Sequence, residues 1–548
     1  MIRRRIVLGV LLASLFALGW LAGRGSASGP GDLYKNLDVF VEVIQRVQQS
    51  YVDVVPADKL MDGAVRGMMR QLDPYSQYLD PKGFADLQST TQGSFGGVGL
   101  IVGIRERMPV VISPVEGGPA WTLGLRTGDT ILDIDGKSTQ GLSLDEVADR
   151  LRGKPGTHVS IKVTREGAND VRDVTIERQV IVTKSVPYAF MLPNDVGYLR
   201  LADFSEDAGR EVKDAVAQLR AKGAKRLVID LRSNPGGLLD QAVDVAERFV
   251  PKGAMLVSTR GRMKGQDQKY YSAEPKPELG WPMVVLVDRG TASASEIVAG
   301  ALQDLDRALI VGETSFGKGL VQSLFPLRQG GAVKLTTARY YTPSGRSIHN
   351  VAHDRMLLAL EDDDSGDDDA VADSLTNGPL PADSGAAATY RTKSGRPVSG
   401  NGGIRPDVLV MQDSLPPLTR AVELNGLAFR VANRWVTTHP GWTLERPVDD
   451  ALRAGLRSAL DSAKVTVTSA QMAAEQPLLD RALRRELARR LGGDAAAARV
   501  ALDGDPVMAR ALSVLGAARG ARDVFAVASR PVATPPRAGA PHMTGARR

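Results

Sequence analysis

The chain of 548 residues contains no cysteine and only five histidines, His158, His349, His353, His439 and His542. Without thiols there are no disulfides, no cysteine nucleophile, no cysteine-ligated zinc and no iron–sulfur cluster. The histidines form no HxH, HxxH or HExxH pattern, so nothing favours a histidine metal site, and none is expected. Aromatic residues are scarce, at 5%, and no basic stripe interleaves with them. A nucleic-acid partner is therefore not expected, although the formal charge is +6. Hydrophobic content of 43% and charged content of 24% are ordinary for a globular protein. They exclude a disordered chain, a collagen and a polytopic membrane protein. Chemistry here has to come from hydroxyls, lysines, carboxylates or the backbone.

What is present starts with Arg3-Arg4-Arg5, an uncharged apolar run over residues 6–23, and the small residues of 25–28. This is the pattern of a Sec-type export signal, and the run is also near the length that spans a bilayer. Residues 1–28 are expected to be either a signal peptide or a membrane anchor. The rest of the chain is then exported, periplasmic or attached to the outer face of the inner membrane.

Residues 29–93 carry helical periodicity, with Leu33, Leu37, Phe40, Val41, Ile44, Val47 and Tyr51 on one stripe. A second helix is expected through 59–69, ending before Pro74. Residues 94–180 read as short strands with turns, including Val110-Val111-Ile112, an Asp135-Gly136 turn and the alternating 159–163. From 181 to 412 strand–turn–helix units alternate: strands at 226–231, 283–287 and 308–311, helices at 238–249 and 293–305. That alternation predicts an α/β layer with its site at the strand ends. An acidic run, 361–369, lies in an insertion at about 350–390 and is expected to be a solvated loop. Residues 413–528 are rich in Ala, Leu and Arg and read as helical, without a motif. The tail 529–548 is expected to be disordered.

Three stretches could carry chemistry. In Gly290-Thr291-Ala292-Ser293-Ala294-Ser295-Glu296 a strand ends and a helix begins. A hydroxyl there either caps the helix or serves as a nucleophile beside unpaired helix amides. Asp230-Leu-Arg-Ser-Asn234-Pro235-Gly236-Gly237 is a second strand–turn–helix junction whose glycine amides suit an oxyanion. Gly312 to Gly319 nearly matches the phosphate-binding pattern, but Gly319 stands where Ser or Thr would ligand magnesium. With so few histidines, Lys318 is the better base for a serine. Its pKa would have to fall from about 10.4 to roughly 7–8, about 4 kcal/mol of desolvation. If residues 318–322 are extended, period 2 puts Gln322 on the same face, where it can orient the amine without adding charge.

Thr-Ala-Ser293-Ala-Ser-Glu, Gly317-Lys318-Gly-Leu-Val-Gln322, Asp230-Leu-Arg-Ser-Asn-Pro-Gly-Gly237 and Thr337-Ala-Arg-Tyr-Tyr-Thr-Pro-Ser-Gly-Arg346 together resemble the carboxy-terminal processing peptidases, or tail-specific proteases. Ser293 precedes Lys318 by 25 residues, the separation of that family's nucleophile and base. The resemblance implies a crotonase/ClpP-like α/β protease core, an inserted, mostly β PDZ domain over 94–180, and helical N- and C-terminal regions. It implies Ser293 as nucleophile, Lys318 as base and Gln322 as its partner. Gly236 or Gly237 would supply oxyanion amides with Ala294. Gly97-Val98-Gly99-Leu100 resembles the PDZ carboxylate loop, which would hold a substrate's free C-terminus. Asp304 matches a supporting acidic position, and Arg152 one that couples the PDZ domain to the core. No cofactor is implied. Further partners would be an adaptor protein and a second copy of the chain. The sequence departs from the family pattern in the 350–390 insertion, the long C-terminal region and Thr291, where Ser is common. An inactive PDZ scaffold is the alternative reading, opposed by the intact Ser293, Lys318 and Gln322.

Overall fold

The computed structural model describes residues 30–165, 171–361, 389–412 and 414–530. Residues 1–28, expected to be a signal peptide or anchor, the acidic run beyond residue 361 and the tail beyond residue 530 lie outside the described residues. The chain divides into two compact units, one ending at Tyr78 and one beginning at Leu79.

The first unit contains the two helices that the periodicity predicts, Pro30–Ser50 and Ala57–Arg70. The break after them is closed by Asp73, whose Oδ1 accepts from the Tyr75 and Ser76 amides, each at 2.9 Å. Leu37, Val41 and Tyr51 of the predicted stripe are exposed. The helix Pro81–Gln92, grouped with these two on sequence, belongs to the second unit.

In the second unit an antiparallel sheet runs Leu100–Arg105, Met108–Pro114, Asp129–Ile134, His158–Arg165, Val171–Glu177. Val159, Ile161 and Val163 point into its core with the helix Leu144–Leu151, as strict alternation requires. Asp135 and Gly136 both have positive φ, 51° and 74°, which a two-residue hairpin turn demands. Ser94–Gly97 pairs with Gln179–Val182 and closes the neck of this domain.

The central sheet has the order Tyr188–Leu192, Val196–Arg200, Arg226–Asp230, Met283–Val287, Leu309–Gly312, Val408–Leu409. Only the first pair is antiparallel. Residues 283–287 are fully buried, because both faces of the sheet are covered. Met283, Val285 and Val287 meet the helices Ala208–Ala221, Leu239–Glu247 and Ala294–Asp304. Val284 and Leu286 meet Val507, Met508, Ala511 and Val514 of the helix Pro506–Ala517. The C-terminal region is thus the second cover of the central sheet. Its earlier helices, from Pro417–Leu424 to Ser469–Leu502, build a separate core around Leu427, Leu452 and Leu483. A second, antiparallel sheet pairs Leu320–Pro326 with Ala332–Tyr341, and Ala332–Tyr341 with Met255–Gly261.

Candidate active site

The sequence leaves three hydroxyls at one junction, and the structure separates them. Thr291 is buried and its Oγ1 donates to the Leu231 carbonyl at 2.9 Å. Ser295 is buried and its Oγ donates to the Asn234 carbonyl at 3.1 Å. Both hydroxyls fasten the junction to the loop that follows Arg226–Asp230. Ser293 is half-buried, at the N-cap of Ala294–Asp304, with φ 55° and ψ −116°. A non-glycine residue held there stores about 1–3 kcal/mol of strain. Sharp strand-to-helix turns of this kind present a nucleophile above a sheet.

Gly236 lies against this turn. A Cβ on it would stand 2.8 Å from Ser293 Cβ and 2.9 Å from Ala294 N, and its φ is 101°. Only glycine lets the two loops approach so closely. Its own amide, however, donates to Asn234 Oδ1 at 2.9 Å. The expectation of an oxyanion amide from Gly236 is therefore corrected: that proton is already committed to an intraloop bond. The Gly237 and Ala294 amides have no acceptor among the described residues.

Glu296, three residues after Ser293, is fully buried. Its Oε2 accepts from Ser293 N at 2.8 Å and Lys318 N at 2.9 Å. Its Oε1 accepts from Ser315 Oγ at 2.5 Å and Gly317 N at 2.8 Å. One carboxylate thus joins the serine turn to the lysine loop. Burial pushes its pKa up to about 6, while the hydrogen bonds from Ser315, Gly317, Ser293 and Lys318 pull the other way. The Ser-x-x-Glu spacing of a helix start is the signal of Glu296 in the sequence.

Lys318 is half-buried, in the loop between Leu309–Gly312 and Leu320–Pro326. Gly317 has φ 89°, and a Cβ there would meet Asn350 Cβ at 2.8 Å, so this loop packs tightly on residues 348–350. The amides that would cradle a phosphate, those of Gly317 and Lys318, are taken by Glu296, which removes the nucleotide reading. Gln322 lies in Leu320–Pro326, but the register shifts between Val321 and Gln322. The pairing jumps from Ala338 to Thr336, so the extra residue is Thr337 of the partner strand and Leu320–Pro326 keeps its own alternation.

Asp304 is buried at the end of the Ala294–Asp304 helix and accepts from Thr342 Oγ1 at 2.5 Å and Ser344 N at 3.0 Å. It also pairs with Arg346 at 2.8 Å, as a support would. Arg152 reaches Asp86 at 3.4 Å and lies over the Phe95 ring, 5.3 Å from its centroid. Its expected coupling to the protease core is corrected: these partners are on the helix before the PDZ domain and at its neck. Gly97, Val98, Gly99 and Leu100 line a cavity of about 190 Å³ with Leu144 and Leu151. The adjoining strand Leu100–Arg105 ends the sheet order and leaves one edge open.

Residues 195–355 match Peptidase family S41, residues 110–165 match a PDZ domain, and residues 24–83 match the activating protease CtpB N-terminal domain. The chain is 41% identical to a carboxy-terminal-processing protease of Bartonella bacilliformis over 64% of its own length and 81% of the relative. It is 36% identical to the carboxy-terminal processing protease CtpA of Bacillus subtilis, over 60% of this chain and 69% of the relative. Among solved structures, a photosystem II D1 C-terminal processing protease is 34% identical, covering 57% of this chain and 89% of that one at a TM-score of 0.33. The chain belongs to the carboxy-terminal-processing serine proteases of peptidase family S41, with a PDZ domain preceding most of its peptidase region.

Proposed function

We propose that the protein is an exported endopeptidase that cuts protein substrates with a Ser293–Lys318 dyad assisted by Gln322. The observation that carries this reading is the single Glu296 carboxylate oxygen shared by the Ser293 and Lys318 amides. Such a shared anchor makes sense where two residues from separate loops act on one atom. In this mechanism Lys318, as the neutral amine, takes the Ser293 hydroxyl proton while Oγ attacks the peptide carbonyl. The oxyanion is held by the Gly237 and Ala294 amides. The C–N bond then breaks, the leaving amine takes the proton from Lys318, and an acyl-enzyme remains. Water, deprotonated by Lys318, releases the acid and restores Ser293.

Substrate choice follows from the open edge of Leu100–Arg105. A C-terminal tail adds there as a strand, with its carboxylate at the Gly97-Val98-Gly99-Leu100 amides. Substrates with free C-termini are the partners of this reading, together with an adaptor, a membrane anchor in residues 1–28 and a homodimer.

The test is cleavage of an unfolded protein by the chain lacking residues 1–28. Activity that falls at acid pH and is lost by at least 10³-fold in Ser293→Ala and in Lys318→Ala supports the dyad. Activity surviving in Ser293→Ala refutes it.

A further inference from the structure

Resting on the dyad reading, we propose that Tyr340 is a positioning residue for the reaction, its phenol fixing the Ser293 and Lys318 backbones relative to each other. Tyr340 sits in Ala332–Tyr341 and is 1% exposed. Its hydroxyl oxygen lies 3.0 Å from the Ser293 carbonyl and 2.8 Å from the Lys318 carbonyl, so its one proton is shared between the two acceptors. Its own amide donates to the Gly319 carbonyl at 3.1 Å, so its backbone is tied to the lysine loop as well.

Set beside Glu296, the pattern is a double clasp. The N–H groups of Ser293 and Lys318 meet at one carboxylate oxygen, and their C=O groups meet at one phenol oxygen. Each peptide group is bridged to its counterpart through a single atom. Glu296 holds the lysine loop by its donors, through Ser315, Gly317 and Lys318, and leaves the carbonyl side of residues 293 and 318 to the phenol. Two anchors on opposite polarities of the same residues fix both the N–H and the C=O side of each. The chemistry needs it, because the serine is held at an unfavourable φ and the lysine is carried by a glycine-flanked loop. A phenol suits the second anchor: a rigid ring holds its one proton between the two carbonyls, which a flexible hydroxyl side chain cannot do.

Tyr340→Phe removes only the oxygen and keeps the ring in its buried slot. In the chain from residue 29 onwards, cleavage of a peptide substrate is expected to show kcat reduced about 10- to 100-fold. KM stays within about twofold, the signature of an interaction needed only for the reacting geometry. Thermal melting of the same preparation reports whether the variant is folded at the assay temperature. The proposal is overturned if kcat is unchanged, if only KM rises, or if the fall in kcat merely tracks the unfolded fraction. Ser293→Ala run alongside separates the two readings. If it is inactive while Tyr340→Phe matches the parent, the dyad stands and the clasp fails. If Ser293→Ala keeps activity, the dyad itself fails.

Discussion

Ser293 shows what a single residue reveals. Its sequence context allowed a nucleophile or a cap. Its two neighbouring hydroxyls turn out to hold backbone carbonyls, and Ser293 keeps the strained turn. Glu296 makes the residue scale testable by pH. Its carboxyl holds a proton up to about pH 6 in the folded protein, against an unfolded value of 4.5. Between those values the folded state binds more protons than the unfolded state. The contribution of Glu296 to stability is therefore complete below about pH 4.5 and is lost as pH rises through 6. A shift of this size is worth about 2 kcal/mol. The Glu296→Gln variant cannot titrate there. Urea unfolding of parent and variant at pH 4.5 and 7 should show the parent losing about 2 kcal/mol relative to the variant over that interval. A constant difference would mean that the carboxyl titrates normally.

At the scale of elements, the helix Pro506–Ala517 links the C-terminal region to the loop that carries Gly236 and Gly237. Asp505 caps it, accepting from Val507 N at 2.8 Å and Met508 N at 3.2 Å. The same carboxylate pairs with Arg232 at 2.5 Å, and Arg232 pairs with Asp230 at 2.7 Å. Burial alone would raise the Asp230 pKa, but Arg232, Arg200 and the Tyr198 hydroxyl hold it below the usual carboxylate range. Arg232 opens the loop that leads to Gly236 and Gly237. Asp505→Asn preserves a capping oxygen and removes the charge facing Arg232. With Asp230 still in place, the expected loss is about 1–3 kcal/mol in urea unfolding. No loss would show the Arg232–Asp505 pair to be idle. Met508, 1% exposed against the sheet, tests the packing itself. Met508→Ala should cost about 2–5 kcal/mol by the same measurement.

The elements were largely legible beforehand. Met283–Val287 and the helix Ala294–Asp304 fall where the apolar run and the small-residue turn put them. The hairpin at Asp135-Gly136 followed from its turn chemistry. The extra residue Thr337 opposite Val321 and Gln322 was not legible, because a register irregularity depends on the pairing and leaves no mark in a period-2 pattern. Nor was the choice between Gly236 and Gly237, which turns on where the Asn234 side chain points.

At the scale of the whole molecule, the C-terminal region is both a cover and a neighbour of the PDZ domain. Asn433 fills the space over Gly128, where a Cβ would lie 2.7 Å from Asn433 Cγ, and Arg430 pairs with Glu106. Removing residues 413–548 would bare Val284, Leu286 and Val311 on the central sheet. The truncated chain is expected to be insoluble or to melt without a cooperative transition, as read by circular dichroism. A soluble, cooperatively folding truncation would show that the sheet needs only one covered face.

The sequence by itself determined the chemistry available and where it lies along the chain. With no thiol and few histidines, hydroxyls, lysines, carboxylates and the backbone were what remained, and the roles of Ser293 and Lys318 came from the motifs that carry the family resemblance. The tertiary structure decided which hydroxyl is strained, which glycine amide is left to donate, which helices cover the sheet, and how Glu296 and Tyr340 join the two loops. Those are contacts between residues far apart in the chain. A local pattern records the propensity of each segment, but the partner of a buried carboxylate or carbonyl is fixed only when folding brings the other loop within hydrogen-bond reach.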